Sequence, residues 1–281
     1  MNVRNARQVL ITGATGGVGQ LAVAYALSQG YRVRALTRSR PKALAMFSEQ
    51  VDIAVGDLRQ PDTLPRALAE VDAVICCSGT TAFPSPKWQL DLPDSPVEQF
   101  LAWGRVFLDA DYRQQQAKNS PAIADRQGVA HLIAACPPTL QRFVFVSSLG
   151  VERKQDLPFS LLNAYGVLDA KQAAETTLRQ SGLPYTIVRP GRLIDGPYTS
   201  FDLNTLIKAS TQGSQGVTLG QRDQLLGQTS RKDVAAVCVE CLTNAHSLNQ
   251  TFEIINEGSR PPQVDWQALL NSLTTQASTQ S

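Results

Sequence analysis

The strand-like run Gln8–Thr12 passes straight into Gly13-Ala14-Thr15-Gly16-Gly17-Val18-Gly19, and the apolar stretch Leu21–Leu27 follows at helical length. Few sequence features restrict a fold as tightly, because three glycines here answer three separate needs. Gly13 permits a tight bend, Gly16 lets the backbone approach a diphosphate, and Gly19 lets a helix pack closely on a strand. Unpaired N–H groups at the start of that helix, with the positive end of its dipole, favour an anion beside Thr12, Thr15, Gly17 and Val18. Glycines also mark ordinary turns. The strand before, the helix after and the β-α-β continuation give these their weight.

Strand-like segments alternate with helix-like ones along most of the chain. Arg32–Leu36, Asp52–Val55, Ala73–Cys76, Phe143–Val146 and Tyr185–Val188 read as further strands, and Val18–Gln29, Pro121–Ala135 and Leu168–Gln180 as helices. Strands apolar throughout, such as Phe143–Val146, belong in a sheet covered on both faces. The expected fold is therefore α/β: a Rossmann doubly wound parallel sheet with helices on both faces and a small C-terminal lobe. The 281 residues fit one such domain, over 1–271, with lobe elements from about residue 190 and a Ser/Thr/Gln-rich tail over 272–281 expected to be mobile. Thr80–Asn119, with four prolines, Trp88 and Trp103, is long for a connection and reads as an inserted loop region that covers a site or meets a partner.

The second strand ends in Thr37-Arg38-Ser39-Arg40, with Lys42 beyond. A site preferring NAD would place a carboxylate there for the ribose 2′-hydroxyl, whereas Arg38 suits the 2′-phosphate of NADP. NADP(H) is therefore the expected cofactor rather than NAD(H). Gly56-Asp57-Leu58 follows the third strand, in position to meet the adenine, and Cys77-Ser78-Gly79 follows the fourth, beside the nicotinamide-side ribose.

Other chemistries have little to work with. A formal net charge of +2 supplies no broad basic field for nucleic acid, and no apolar run approaches the length of a membrane span. The N-terminus lacks the apolar core of a signal peptide. These features predict a soluble, cytoplasmic or stroma-like protein. Five cysteines are scattered through apolar segments; Cys238 and Cys241 form a CxxC in a helix-like stretch without a second pair, and read as buried small hydrophobes rather than a zinc site. Only His131 and His246 are available to a histidine-based centre.

The chain resembles the atypical short-chain dehydrogenase/reductases with an NAD(P)H-binding domain, including cyanobacterial and plastid members. The likeness covers nearly the whole sequence and is carried by Thr12–Gly19, Thr37-Arg38, Gly56–Leu58, Val146–Val151, Lys171, Val188-Arg189-Pro190-Gly191 and Ser230–Ala235. It implies roles at the cofactor for Ser147, Lys171, Arg189 and Pro190. Members that transfer hydride usually combine a serine, a tyrosine acid and a lysine four residues after the tyrosine. Here Ser147, Ser148 and Lys171 are present, but Val167 stands where the tyrosine is expected. Tyr165 is six residues before Lys171 and could act only if the helix begins after it; otherwise it is a packing or lid residue. Tyr198 is a further candidate donor. Two functions follow. One is an NADPH-dependent reductase of a carbonyl or conjugated double bond, with its proton from water, Ser148 or a displaced tyrosine. The other is a nonenzymatic NADP(H)-binding redox sensor or assembly factor.

Overall fold

The computed structural model describes residues 7–47, 49–194 and 214–278. Six parallel strands form its main body: β1 (Gln8–Thr12), β2 (Arg32–Thr37), β3 (Val51–Val55), β4 (Ala73–Cys76), β5 (Arg142–Val146) and β6 (Tyr185–Pro190). They lie in the order β3-β2-β1-β4-β5-β6, the order of a dinucleotide-binding doubly wound sheet, in which the strand order reverses between β1 and β4. Four more strands extend it: β7 (Arg192–Leu193), β8 (Gln215–Gly220), β9 (Gln228–Thr229) and β10 (Gln250–Ser259). β10 runs parallel to β6 and antiparallel to β8 and β9, so the ten-stranded sheet is mixed but mostly parallel.

Successive side chains of a strand face opposite ways, and here both faces are buried. Val9, Ile11, Val144 and Phe252 pack beneath α1 (Gly17–Ser28), α9 (Arg231–Glu240) and α10 (Trp266–Ser278). Leu10, Val74, Phe143 and Phe145 pack on the other face against α3 (Leu64–Leu68), α6 (Gly128–Ala135) and α8 (Val167–Gln180). This two-sided burial is why the strands carry unbroken apolar runs. Cys238 and Cys241 are fully buried in the first of these layers, and burial pushes the Cys241 thiol up to about 12.

The stretch read as an inserted loop is largely helical. α4 (Pro96–Leu108) and α5 (Ala110–Gln116) form a hairpin closed at its base by an antiparallel bridge between Leu90 and Ala117. Asp109 caps α5 by accepting a bond from the Tyr112 N–H at 2.9 Å. Trp88 is buried, its indole donating to the Thr81 carbonyl at 3.1 Å. α2 (Arg40–Met46) follows β2, and α7 (Phe159–Leu162) precedes α8. The helix read over 121–135 opens with a π-helical turn, Ala122–Gln127, before α6. α10 continues to Ser278, into the stretch read as a tail. No helix among the described residues is long and apolar enough to cross a membrane.

Candidate functional site

The glycine loop lies at the carboxyl ends of β1 and β4, where the sheet order reverses. Gly13 has φ +64°, and a β-carbon there would stand 2.7 Å from the Cys77 carbonyl oxygen, so only glycine lets the two strand ends meet. A β-carbon on Gly19 would collide with the Gly13 carbonyl oxygen, which fixes the close seat of α1 on the loop. At Gly16 the one neighbour of an added β-carbon among the described residues is the Gly13 oxygen, at 3.1 Å. Gly16 also begins α1 without a side-chain cap or an acidic residue in the first turn. The first intrahelical bond runs from Gln20 N to Gly16 O, so the N–H groups of Gly17, Val18 and Gly19 precede the helical ladder at its positive end. These donors and the open side of Gly16 fit a diphosphate.

A cleft of about 250 Å³ extends from this loop, lined by Gly13, Thr15, Gly16, Arg38, Lys42, Asp57, Leu58, Ser78 and Gly79 among others. Arg38 and Lys42 are exposed at its rim, and Ser39 caps α2 by accepting from the Lys42 N–H. Thr12 is buried, its hydroxyl accepting from Ser78 at 2.9 Å, which ties the ends of β1 and β4 together. Burial alone would raise the Asp57 carboxyl, but bonds from Arg59 outweigh it and, with Arg38 nearby, hold it below the usual carboxylate range. The same bonds raise the Arg59 guanidinium.

Arg59 was not anticipated. It clamps Asp57 and then reaches across to the insertion, donating to the Gln89 side chain at 2.9 Å and the Lys118 carbonyl at 2.8 Å. Asn119, at the foot of the insertion, also lines the cleft. Arg231, at the start of α9, lies against Gly17: a β-carbon at Gly17 would stand 2.9 Å from its side chain. The sequence signal for Arg59 was its spacing, two residues after an acid at a strand end. Arg231 belongs to a recognised motif, but its proximity to the loop depends on the packing of α9 against α1.

The far end of the cleft is built differently. Lys171, buried on α8, places Nζ 2.8 Å from Asp125, 3.1 Å from the Val146 carbonyl and 3.5 Å from the Ser78 carbonyl. Nζ donates to the two carbonyls, whereas its contact with Asp125 Oδ1 is an ion pair without hydrogen-bond geometry, and that oxygen accepts no hydrogen bond among the described residues. Asp125 is fully buried on the π-helical turn and accepts in addition from the Thr80 N–H. Gly79 lies against the pair: a β-carbon there would stand 2.9 Å from the Asp125 carboxylate and 3.2 Å from Nζ. Val167 is buried at the first position of α8.

Tyr165 does precede the helix, whose N-cap is Gly166 with φ +77°. Its ring packs edge-on against Phe83, Trp88 and Phe107, with the Arg113 guanidinium 4.8 Å from its centroid. Ser148 donates to the Leu149 carbonyl. Ser147 donates to Glu175 at 2.6 Å, and Glu175 pairs with Arg189 through both carboxylate oxygens, at 2.9 and 2.7 Å. Arg189 also bonds Glu152, so its side chain and that of Ser147 join a buried ionic network rather than the cleft. Pro190 ends β6 beside them. That network borders a larger cleft, about 410 Å³, along α8. Its acids Glu152, Glu175 and Asp169 are already bonded by Arg189, Arg179 and Lys154, so the smaller cleft at the glycine loop is the better candidate. Tyr198 lies outside the described residues.

A family described as NAD(P)H-binding matches residues 13–245. Protein TIC 62, chloroplastic, from Pisum sativum is 29% identical over 274 residues, which cover 90% of this chain and 43% of TIC 62. Photosystem II assembly factor Ycf39 from Trieres chinensis is 27% identical over 245 residues, covering 87% of this chain and 62% of Ycf39. The chain thus spans only part of both relatives. Sanguinarine reductase from Eschscholzia californica is 29% identical over 305 residues, covering 95% and 96% of the two chains. Among solved structures, a putative NAD-dependent epimerase/dehydratase from Bacillus halodurans superposes with a TM-score of 0.66 at 24% identity, over 95% of this chain and 100% of the other. That likeness is one of fold.

Proposed function

The chain belongs to the NAD(P)H-binding family, and on that premise we propose that it binds NADP(H) in the cleft at the glycine loop. The observation that carries the proposal is the open α1 N-terminus beside a cationic rim, Arg38 and Lys42, with no carboxylate at the end of β2. The Gly17 and Val18 N–H groups would hold the diphosphate. Arg38, with Lys42, would pair with the 2′-phosphate, Asp57 and Leu58 would border the adenine, and Ser78 and Gly79 would border the nicotinamide-side ribose.

When bound, NADPH supplies a hydride. The chain's own contribution at that end is positional. Lys171 is bonded to Asp125 and two carbonyls, Ser147 to Glu175, and Tyr165 packs among aromatic rings. We therefore read the protein as an NADPH-dependent reductase of a carbonyl or conjugated double bond whose proton comes from water or Ser148 rather than from a tyrosine–lysine couple. The full-length likeness to sanguinarine reductase supports this reading. The second reading, a nonenzymatic redox sensor or assembly factor, draws on the same bonded side chains and on the likeness to an assembly factor.

Calorimetry with NADPH and NADH tests the binding claim: NADPH should bind at least about tenfold more tightly, the value of one charge-assisted contact. Equal affinities would remove the role given to Arg38. Absorbance loss of NADPH with quinones, aldehydes and flavins then separates the two readings, since turnover selects the reductase and its absence across the panel selects the binder.

A further inference from the structure

The insertion carries an apolar surface that the cofactor site does not use. On α4, Ala102 and Val106 are buried, and at 100° per residue the opposite side of the helix presents Val97, Leu101, Gly104 and Leu108. These positions are spaced by four, three and four residues, the spacing of a heptad seam. Phe100 and Phe107 border the seam on one flank, Glu98 and Arg105 on the other. Phe100 is 79% exposed and Leu108 90%. Isolated exposed leucines are common on soluble proteins, but a contiguous stripe of this kind marks an interaction surface. Among the described residues a β-carbon at Gly104 would have no neighbour within 4 Å, so a second backbone could approach closely there.

We propose that this face of α4 pairs with the same face of a second copy of the chain, antiparallel about a two-fold axis. The charge order along the helix argues for that occupant. In the antiparallel register that sets Val97 against the partner's Leu108 and Leu101 against the partner's Gly104, Glu98 meets the partner's Arg105 and Arg105 meets the partner's Glu98. Phe100 then meets the partner's Phe107 on the opposite flank. A two-fold interface must be complementary to itself, and this arrangement supplies one attractive pair on each side of the axis. Five large apolar side chains, Val97, Phe100, Leu101, Phe107 and Leu108, are exposed on this one face, the kind of anchor that the ~800 Å² per partner of a stable interface is built around. An anionic membrane is a poorer match, because Asp94, Asp109 and Asp111 surround the ends of the helix.

The pairing would also reinforce the cleft. The insertion is tied to it by Arg59, through Gln89 and the Lys118 carbonyl. Its α4 end is tied to the segment just before α8 through the contact of Phe107 with Tyr165.

Sedimentation velocity of the full chain from about 1 to 100 µM tests the proposal, with the expected result a monomer–dimer equilibrium. Leu101→Glu should weaken dimerisation at least about 100-fold by placing a charge in the seam, with the circular dichroism spectrum unchanged. Glu98→Arg and Arg105→Glu should each weaken it about tenfold, because each turns two attractive pairs into repulsive ones. The combined variant should return to within about threefold of the parent, since the pairs are restored with their signs exchanged. A chain that stays monomeric throughout overturns the proposal. So does a dimer that survives Leu101→Glu, or a combined charge variant no better than the single ones.

Discussion

At the α1 end of the cleft, backbone N–H groups precede the helical ladder, and Arg38 and Lys42 stand exposed at the rim. At the α8 end, side chains of the kinds that move protons in related enzymes are bonded inward: Lys171 to Asp125, Ser147 to Glu175, Tyr165 among three aromatic rings. The first end offers backbone donors to a ligand, whereas at the second Lys171 is held by an ion pair and two carbonyls and Ser147 by a carboxylate. Nucleotide binding and proton transfer are separable on one fold, and the two ends of this cleft differ in what already engages their side chains.

Disturbing the buried Lys171–Asp125 pair should cost the protein most. Lys171→Met should cost about 3–5 kcal/mol of stability in urea denaturation, because it leaves Asp125 buried without its counter-charge. Pairing it with Asp125→Asn should recover most of that loss. If Lys171→Met leaves stability intact but weakens NADPH binding, the lysine serves the cofactor and the two ends are less distinct than described.

Gly16→Val acts at the other end. A branched side chain there fills the open space beyond the Gly13 oxygen, so NADPH affinity should fall at least about 100-fold while circular dichroism stays native. Arg38→Glu is milder. It should cost about 1–3 kcal/mol of NADPH affinity, as charge-assisted bonds are lost, and should remove or reverse the preference over NADH in calorimetry. Tyr165→Phe is the smallest change. It keeps the ring among Phe83, Trp88 and Phe107, so any turnover should remain within about twofold of the parent; a large drop would make Tyr165 an acid after all.

Much of the frame was legible because local signals and the fold agree. The glycine loop names its own neighbours, and the apolar strands Gln8–Thr12 and Ala73–Cys76 have the bounds read from the sequence. Legibility failed where side chains choose among distant partners. Asp125 and Lys171 are 46 positions apart, and a π-helical turn sets the acid's direction, which periodicity does not encode. Arg189 was read as a cofactor residue from its motif, yet its side chain is directed to Glu175 and Glu152. The helical character of Pro96–Leu108 was hidden by the prolines around it: Pro96 sits at the start of the helix, where it is tolerated, and its apolar side faces outward instead of toward a core.

A crystal structure of the complex with NADP tests the contrast between the two ends most directly. The diphosphate is expected on the Gly17 and Val18 N–H groups, Arg38 at the 2′-phosphate, and Lys171 Nζ still paired with Asp125. A complex in which Lys171 has left Asp125 for the ribose hydroxyls, with the Tyr165 hydroxyl turned toward the nicotinamide, would contradict it.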